Sequence, residues 1–148
     1  MTLIKSVGFF IPMLTQKRKT GYDTVMHEFE GYIGMFDSGV GGISVLKELV
    51  RELPNEHFLF YGDSANAPYG DKGPAAVMQL SRGIASNMID DGCKAIVIAC
   101  NTATSVAANE LRTRWPNLPI IGIEPALKPA ARSLDHRRIL VMATSNTL

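Results

Sequence analysis

From Tyr32 onward, short apolar runs alternate with longer stretches whose apolar residues recur at helical spacing. Tyr32–Phe36 reads as a first strand. After the turn Gly39-Val40-Gly41-Gly42, Ile43, Leu46, Leu49/Val50 and Leu53 form the stripe of a helix that Pro54-Asn55 stops. His57–Tyr61 is a second strand, and the polar loop from Gly62 to Pro74 leads to a helix marked by Val77, Leu80, Ile84, Met88 and Ile89. Asp91-Gly92 closes that helix. Lys94–Ala99 is apolar at almost every position, the signature of a parallel strand buried on both faces. Ala103, Val106, Ala107 and Leu111 then mark a third helix, ending at Trp115-Pro116. Pro119–Ile123 reads as a fourth strand, Glu124–Leu134 as a shorter helical stretch, and Arg138–Ala143 as a fifth strand. Strands separated by helices of this length require crossovers, so the pattern predicts a doubly wound parallel α/β sheet with helices on both faces. The fifth strand is followed only by the loop Thr144-Ser145-Asn146-Thr147 and Leu148, so the pattern reads as cut off, with one strand lacking its covering helix.

Residues 1–30 break the rhythm. Ser6–Leu14 is apolar behind a single Lys5, but it is too short to span a bilayer, lacks a small-residue cleavage site, and is followed by Gln16-Lys17-Arg18-Lys19. This segment reads as an extension outside the fold, with Met26 as the better start. The 148 residues leave room for one sizeable core. A formal net charge of +1, with acids and bases interspersed, supplies no basic face for nucleic acid. Cys93 and Cys100 are the only two cysteines and flank one strand. Neither a disulfide between them nor a zinc site is expected, and reduced thiols suit the cytosol.

Chemistry concentrates in three loops that leave the carboxyl ends of the first three strands, where open α/β sheets bind ligands. In Asp37-Ser38-Gly39-Val40-Gly41-Gly42 the glycines permit close backbone approach, and the following helix offers N–H groups to an anion. The spacing fits neither GxGxxG nor a P-loop, and a plain tight turn is the simpler reading, against which Asp37 weighs. The loop Tyr61–Gly70 is longer than most such connections. Cys100-Asn101-Thr102 sits at a strand tip and a helix mouth, a setting that favours a thiolate. A buried structural cysteine is the plainer alternative, but a core has no use for two polar side chains directly after it. A cysteine phosphatase would need an arginine where Val106 stands. A hydrolase triad would need a histidine nearer than His27, His57 or His136, and a pyridoxal enzyme would have only Lys72. What remains is a thiol, a carboxylate and neutral donors, a set suited to removing a proton from a carbon next to a carboxylate.

These motifs, Phe36 to Gly42, Gly62-Asp63 with Pro68-Tyr69-Gly70, and Ala99 to Ala103, resemble in order and spacing those of the glutamate racemases, within the aspartate/glutamate racemase superfamily. Pro119–Pro125 with Lys128-Pro129-Ala130 also fits, and the likeness runs from about Tyr32 to the last residue. The resemblance implies a cofactor-independent cytoplasmic isomerase that supplies D-glutamate for peptidoglycan, with Cys100 as one of two catalytic thiols on opposite faces of the substrate Cα. Asp37 would assist the thiol chemistry and Asp63 would help more remotely. Asp37, Ser38, Tyr69, Gly70, Asn101 and Thr102 would hold the amino and carboxylate groups, as would Thr144 and Thr147 of a Thr-x-x-Thr loop. In that loop Asn146 replaces the family's usual glycine.

The implied partner is glutamate, without nucleic acid, membrane, cofactor or metal, and a homo-oligomer is allowed. The family has two similar facing domains, the second thiol lying in a Gly-Cys-Thr-His motif that this sequence does not contain. The division expected is an extension over 1–30, an incomplete first domain over 31–124 and the opening of a second over 125–148. On that view the chain alone is inactive. The alternatives are a carboxylate-binding or regulatory fragment without catalysis, or an aspartate racemase-type enzyme.

Overall fold

The computed structural model describes residues 3–6, 29–124, 127–132 and 138–147. Five parallel strands, β1 (Leu3–Ser6), β2 (Ile33–Asp37), β3 (Phe58–Gly62), β4 (Ala95–Ile98) and β5 (Ile120–Gly122), form one sheet in the order β1-β3-β2-β4-β5. Helices α1 (Gly42–Glu52), α2 (Pro74–Asp90) and α3 (Asn101–Arg114) connect β2 to β5, and a short α4 covers Leu127–Arg132. The parallel α/β class is as the pattern predicts.

Side-chain alternation sorts the core into two layers. Met35, Phe58, Phe60, Val97 and Ala99 pack with Leu46 of α1 on one face. Phe36, Leu59, Ile96, Ile98 and Cys100 pack on the other with Val77, Ala85 and Met88 of α2 and Ala103, Ala107 and Leu111 of α3. Positions 96, 98 and 100 share a parity, so the register that buries the two isoleucines also sends the Cys100 sulfur to the α3 side. Gly34 faces α2 so closely that a Cβ would lie 2.9 Å from the Met88 sulfur and 3.2 Å from that of Cys93. Small size, not backbone freedom, is what that position requires.

The chain runs outward from β2 to β3 and then returns to the far side of β2 as β4. This reversal of direction between β2 and β4 opens a crevice at their carboxyl ends. Asp37 ends β2, and Cys100 follows β4.

Two expectations are corrected. Leu3–Ser6, read as part of an extension outside the fold, pairs in parallel with Leu59–Gly62 along the free edge of β3. An unpaired edge is a template for any extended segment, which a reading from composition alone does not register. The rest of the apolar stretch before Leu14 and Met26 lie outside the described residues, as do His27 and His136. Arg138–Ala143 forms no strand. Its residues are exposed, with Leu140 and Met142 at 87% and 88%, and among the described residues its backbone joins no ladder. An apolar run becomes a strand only where it finds an edge to pair with.

Candidate active site

Along the crevice lies a cavity of about 580 Å3 lined by Asp37, Gly41, Ser44 and Val45 of the first loop and helix, Ala99–Thr102, Ile123, and Val141–Thr144 with Thr147. Cys100 forms part of its wall. The residue is extended (φ −107°, ψ 122°) and caps α3, its sulfur accepting the Ala103 N–H at 3.4 Å. From the other side the thiol donates to Ser38 Oγ at 3.5 Å. A sulfur held between a helix amide and a hydroxyl, on the wall of a cavity, has the placement of a reactive group rather than of core filling.

Asp37 lies on the same wall but is 7% exposed and already engaged. Its Oδ2 accepts the Gly42 N–H at 2.9 Å, the amide that opens α1. The anion position anticipated at this helix mouth is therefore occupied by the chain's own carboxylate, which complements the helix dipole. Gly42 makes this possible, since a Cβ there would come within 2.8 Å of Asp37 Cβ. The Asp37 carbonyl also accepts the Asp63 N–H at 2.9 Å, tying the tips of β2 and β3.

Asp63 is 2% exposed and anchors the second loop. It accepts the Tyr69 hydroxyl at 2.6 Å and the Asn66 side-chain amide at 3.0 and 3.1 Å. Burial, followed by the Asp63 hydrogen bond and charge, pushes the Tyr69 phenol well above its ordinary value, so it stays a donor. Tyr69, expected among the substrate contacts, has its ring in the core at 1% exposure and its hydroxyl turned to Asp63. The sequence named both residues but not their pairing, for which the Asp63/Asn66 spacing in a loop was the one available signal.

In the same cavity, the hydroxyls of Thr102, Thr144 and Thr147 form a triangle with sides of 3.1, 3.3 and 3.0 Å. The Thr147 N–H to Thr144 carbonyl bond, 2.9 Å, closes residues 144–147 into a turn. Gly70 packs against Thr144 so tightly that any Cβ would overlap the threonine methyl. Asn101 is exposed at the start of α3, and neither its amide nor that of Thr102 meets an acceptor among the described residues. Three hydroxyls and two helix-end amides make this part of the cavity rich in hydrogen-bond donors, fit for a carboxylate.

The structure thus brings Asp37, Cys100, Asn101, Thr102, Thr144 and Thr147 onto one cavity. Ser38 joins through the Cys100 sulfur, Gly70 through Thr144, and Tyr69 through the loop that Asp63 holds. The apolar wall from Val141 to Ala143 was missed, because the run reads equally well as a strand. Cys93 is buried before β4, at the opposite end of that strand from Cys100, and burial with the nearby Asp91 charge pushes its thiol up to about 11. Among the described residues no group of three or more His, Cys, Asp or Glu could hold a metal, and no helix is long and apolar enough to cross a membrane.

The family model described as Asp/Glu/Hydantoin racemase matches residues 33–148. A glutamate racemase from Bifidobacterium adolescentis is 58% identical over 118 residues, covering 78% of this chain and 45% of the relative. A glutamate racemase structure from Thermus thermophilus, in complex with beta-chloro-D-alanine, is 47% identical with a TM-score of 0.63 over 70% of this chain and 40% of that one. One from Francisella tularensis subsp. tularensis, in complex with D-glutamate, is 39% identical with a TM-score of 0.59 over 63% and 35%. The chain spans about 45% of the length of the curated relatives it matches.

Proposed function

The chain belongs to the Asp/Glu/hydantoin racemase family, and we propose that it supplies one face of a glutamate racemase site, in an enzyme that interconverts L- and D-glutamate without a cofactor. The observation that carries this reading is that Cys100, Asp37 and a triangle of threonine hydroxyls line one cavity. The hydroxyls and the first amides of α3 hold the α-carboxylate. Cys100, as thiolate, takes the Cα proton: the Cα–H bond breaks, an S–H bond forms, and the electron pair left on Cα is delocalised into the carboxylate. The Ser38 hydroxyl steadies the sulfur, and Asp37 faces the reacting centre with one oxygen fixed by Gly42. Glutamate is favoured over aspartate because the relatives compared above are glutamate racemases, one of them holding D-glutamate.

Inversion also needs a proton delivered to the opposite face of Cα. Cys93 cannot deliver it, being buried at the opposite end of β4 from the cavity. The opposing acid is proposed to be a thiol outside these 148 residues, and the product to serve peptidoglycan synthesis in the cytoplasm.

The test has two parts. Glutamate titrated into 15N-labelled chain should shift the amides of Asn101, Thr102, Thr144 and Thr147 saturably. Circular dichroism of L- or D-glutamate incubated with the 148-residue chain should stay at the level of a Cys100→Ala control. Absence of saturable shifts at those four amides would remove the glutamate reading. Steady loss of optical signal above the control would remove the one-face reading.

A further inference from the structure

On the reading that this cavity takes glutamate, we propose that Asn146 is a positioning residue, whose side chain straps the threonine turn to the loop of Tyr69 and so sets the carboxylate pocket. The Asn146 side-chain amide donates to the Lys72 carbonyl at 2.6 Å, across 74 residues of sequence. Lys72 closes the tyrosine loop, its own N–H bonded to the Tyr69 carbonyl at 3.1 Å.

This strap matters because the turn has so little else. Residues 138–143, which lead into it, are exposed and join no strand. Among the described residues, the one backbone hydrogen bond of the segment 138–147 is internal, from Thr147 N–H to the Thr144 carbonyl. The turn is therefore located by side chains alone: the hydroxyls shared with Thr102, the Gly70–Thr144 contact and the Asn146 amide. The hydroxyls are the groups a carboxylate would engage, so their mutual bonds are given up on binding. The Gly70 contact is apolar and non-directional. Only the Asn146 bond is polar, directional, half-buried and left intact when a ligand enters.

Its acceptor also belongs to the loop that Asp63 anchors from below through Tyr69. Two cavity walls that are distant in sequence are thereby fixed to each other, and pre-organised hydroxyls cost less to engage than hydroxyls on a free turn. Glycine at position 146 would lose the donor and add backbone freedom. Aspartate would keep the shape but set a carboxylate oxygen against the Lys72 carbonyl.

The experiment uses the full 148-residue chain with Asn146→Asp and Asn146→Gly, and reads two quantities. Amide hydrogen exchange should quicken in both 69–73 and 144–147 in either variant, with exchange in β2 and β4 unchanged. Calorimetric affinity for glutamate should fall about two- to tenfold, the worth of one such hydrogen bond, while far-ultraviolet dichroism shows the sheet intact. Quickening confined to 144–147, or an unchanged affinity despite quickening in both loops, overturns the proposal. If the wild-type chain binds no glutamate, the functional reading fails and not the strap, which is then judged on whether exchange in the two loops rises together.

Discussion

Removing one buried hydroxyl, by Tyr69→Phe, probes the device that holds the second loop in place. The phenylalanine ring refills the site that Tyr69 occupies at 1% exposure, so loss of packing is confined to one oxygen atom. What disappears is a 2.6 Å hydrogen bond to a carboxylate that is 2% exposed. Bonds to charged groups contribute about 1.5–3 kcal/mol. Stripping a buried charge of all its partners costs about 3–5 kcal/mol, but Asp63 keeps the Asn66 amide on both oxygens, so the lower range applies. With a urea slope of about 2 kcal/mol/M, a loss of about 2 kcal/mol moves the midpoint down by about 1 M. Equilibrium urea unfolding followed by circular dichroism reads this directly, and the slope should not change.

A pH arm gives the sign independently. The Tyr69 phenol is raised above its ordinary 10.0 in the fold, so above pH 10 the unfolded chain releases a proton that the folded chain keeps. Stability present below pH 10 is therefore lost as pH rises toward the folded value, and Tyr69→Phe should flatten part of that decline, the remainder coming from Tyr61 and Cys93, whose phenol and thiol are also raised. A midpoint shift below about 0.3 M, given a slope of about 2 kcal/mol/M, with an undiminished alkaline decline, would show that the Tyr69–Asp63 bond carries no weight in solution.

Both cysteines are buried, but iodoacetamide near neutral pH should label Cys100, on the cavity wall, before Cys93, which lines no part of that cavity and whose thiol is pushed up to about 11; peptide mapping showing equal or faster labelling of Cys93 contradicts this. Cys93→Ala should remove a loss of stability between pH 9 and pH 11, because the raised thiol contributes below its ordinary 9.0 and gives that up as pH climbs to about 11, a change visible in urea midpoints measured across that window. Gly70→Ala should weaken glutamate binding by about fivefold or more, since its methyl would overlap Thr144 and overpacking of that kind costs about 1–3 kcal/mol, with the sheet intact by far-ultraviolet dichroism; unchanged affinity in calorimetry counts against the shared wall.

Much of this was legible in the residues, for identifiable reasons. The Lys94–Ala99 run could be placed as a central strand because burial on both faces leaves no polar position. Its tip then fixed Cys100, Asn101 and Thr102 at the crevice without knowledge of any contact. The loops of Asp37 and Asp63 followed from the same topology. Partnerships across the chain were not legible. That Asp37 caps α1 depends on a Gly42 close approach, and that Tyr69 turns inward depends on Asp63, 6 residues away through a loop of irregular backbone. Arg138–Ala143 failed for a different reason: its composition suits a strand, and pairing is decided by which edges the rest of the sheet leaves open. Leu3–Ser6 is the mirror case, an edge partner within a stretch that composition sets aside.

The reversal of direction at β2 and β4 also governs when the thiol acquires its surroundings. Cys100 and Ser38 are 62 residues apart, and Thr102 and Thr144 are 42 apart. No local segment, however well formed, contains both members of either pair. During synthesis, the β2–α1–β3 unit can close as soon as it emerges, yet the sulfur meets its hydroxyl only after β4 has docked on the opposite edge of β2. Loop closure over such separations makes that docking a late event. Partly folded chains therefore carry Cys100 as an ordinary side chain, and its distinctive environment arises only with the completed sheet.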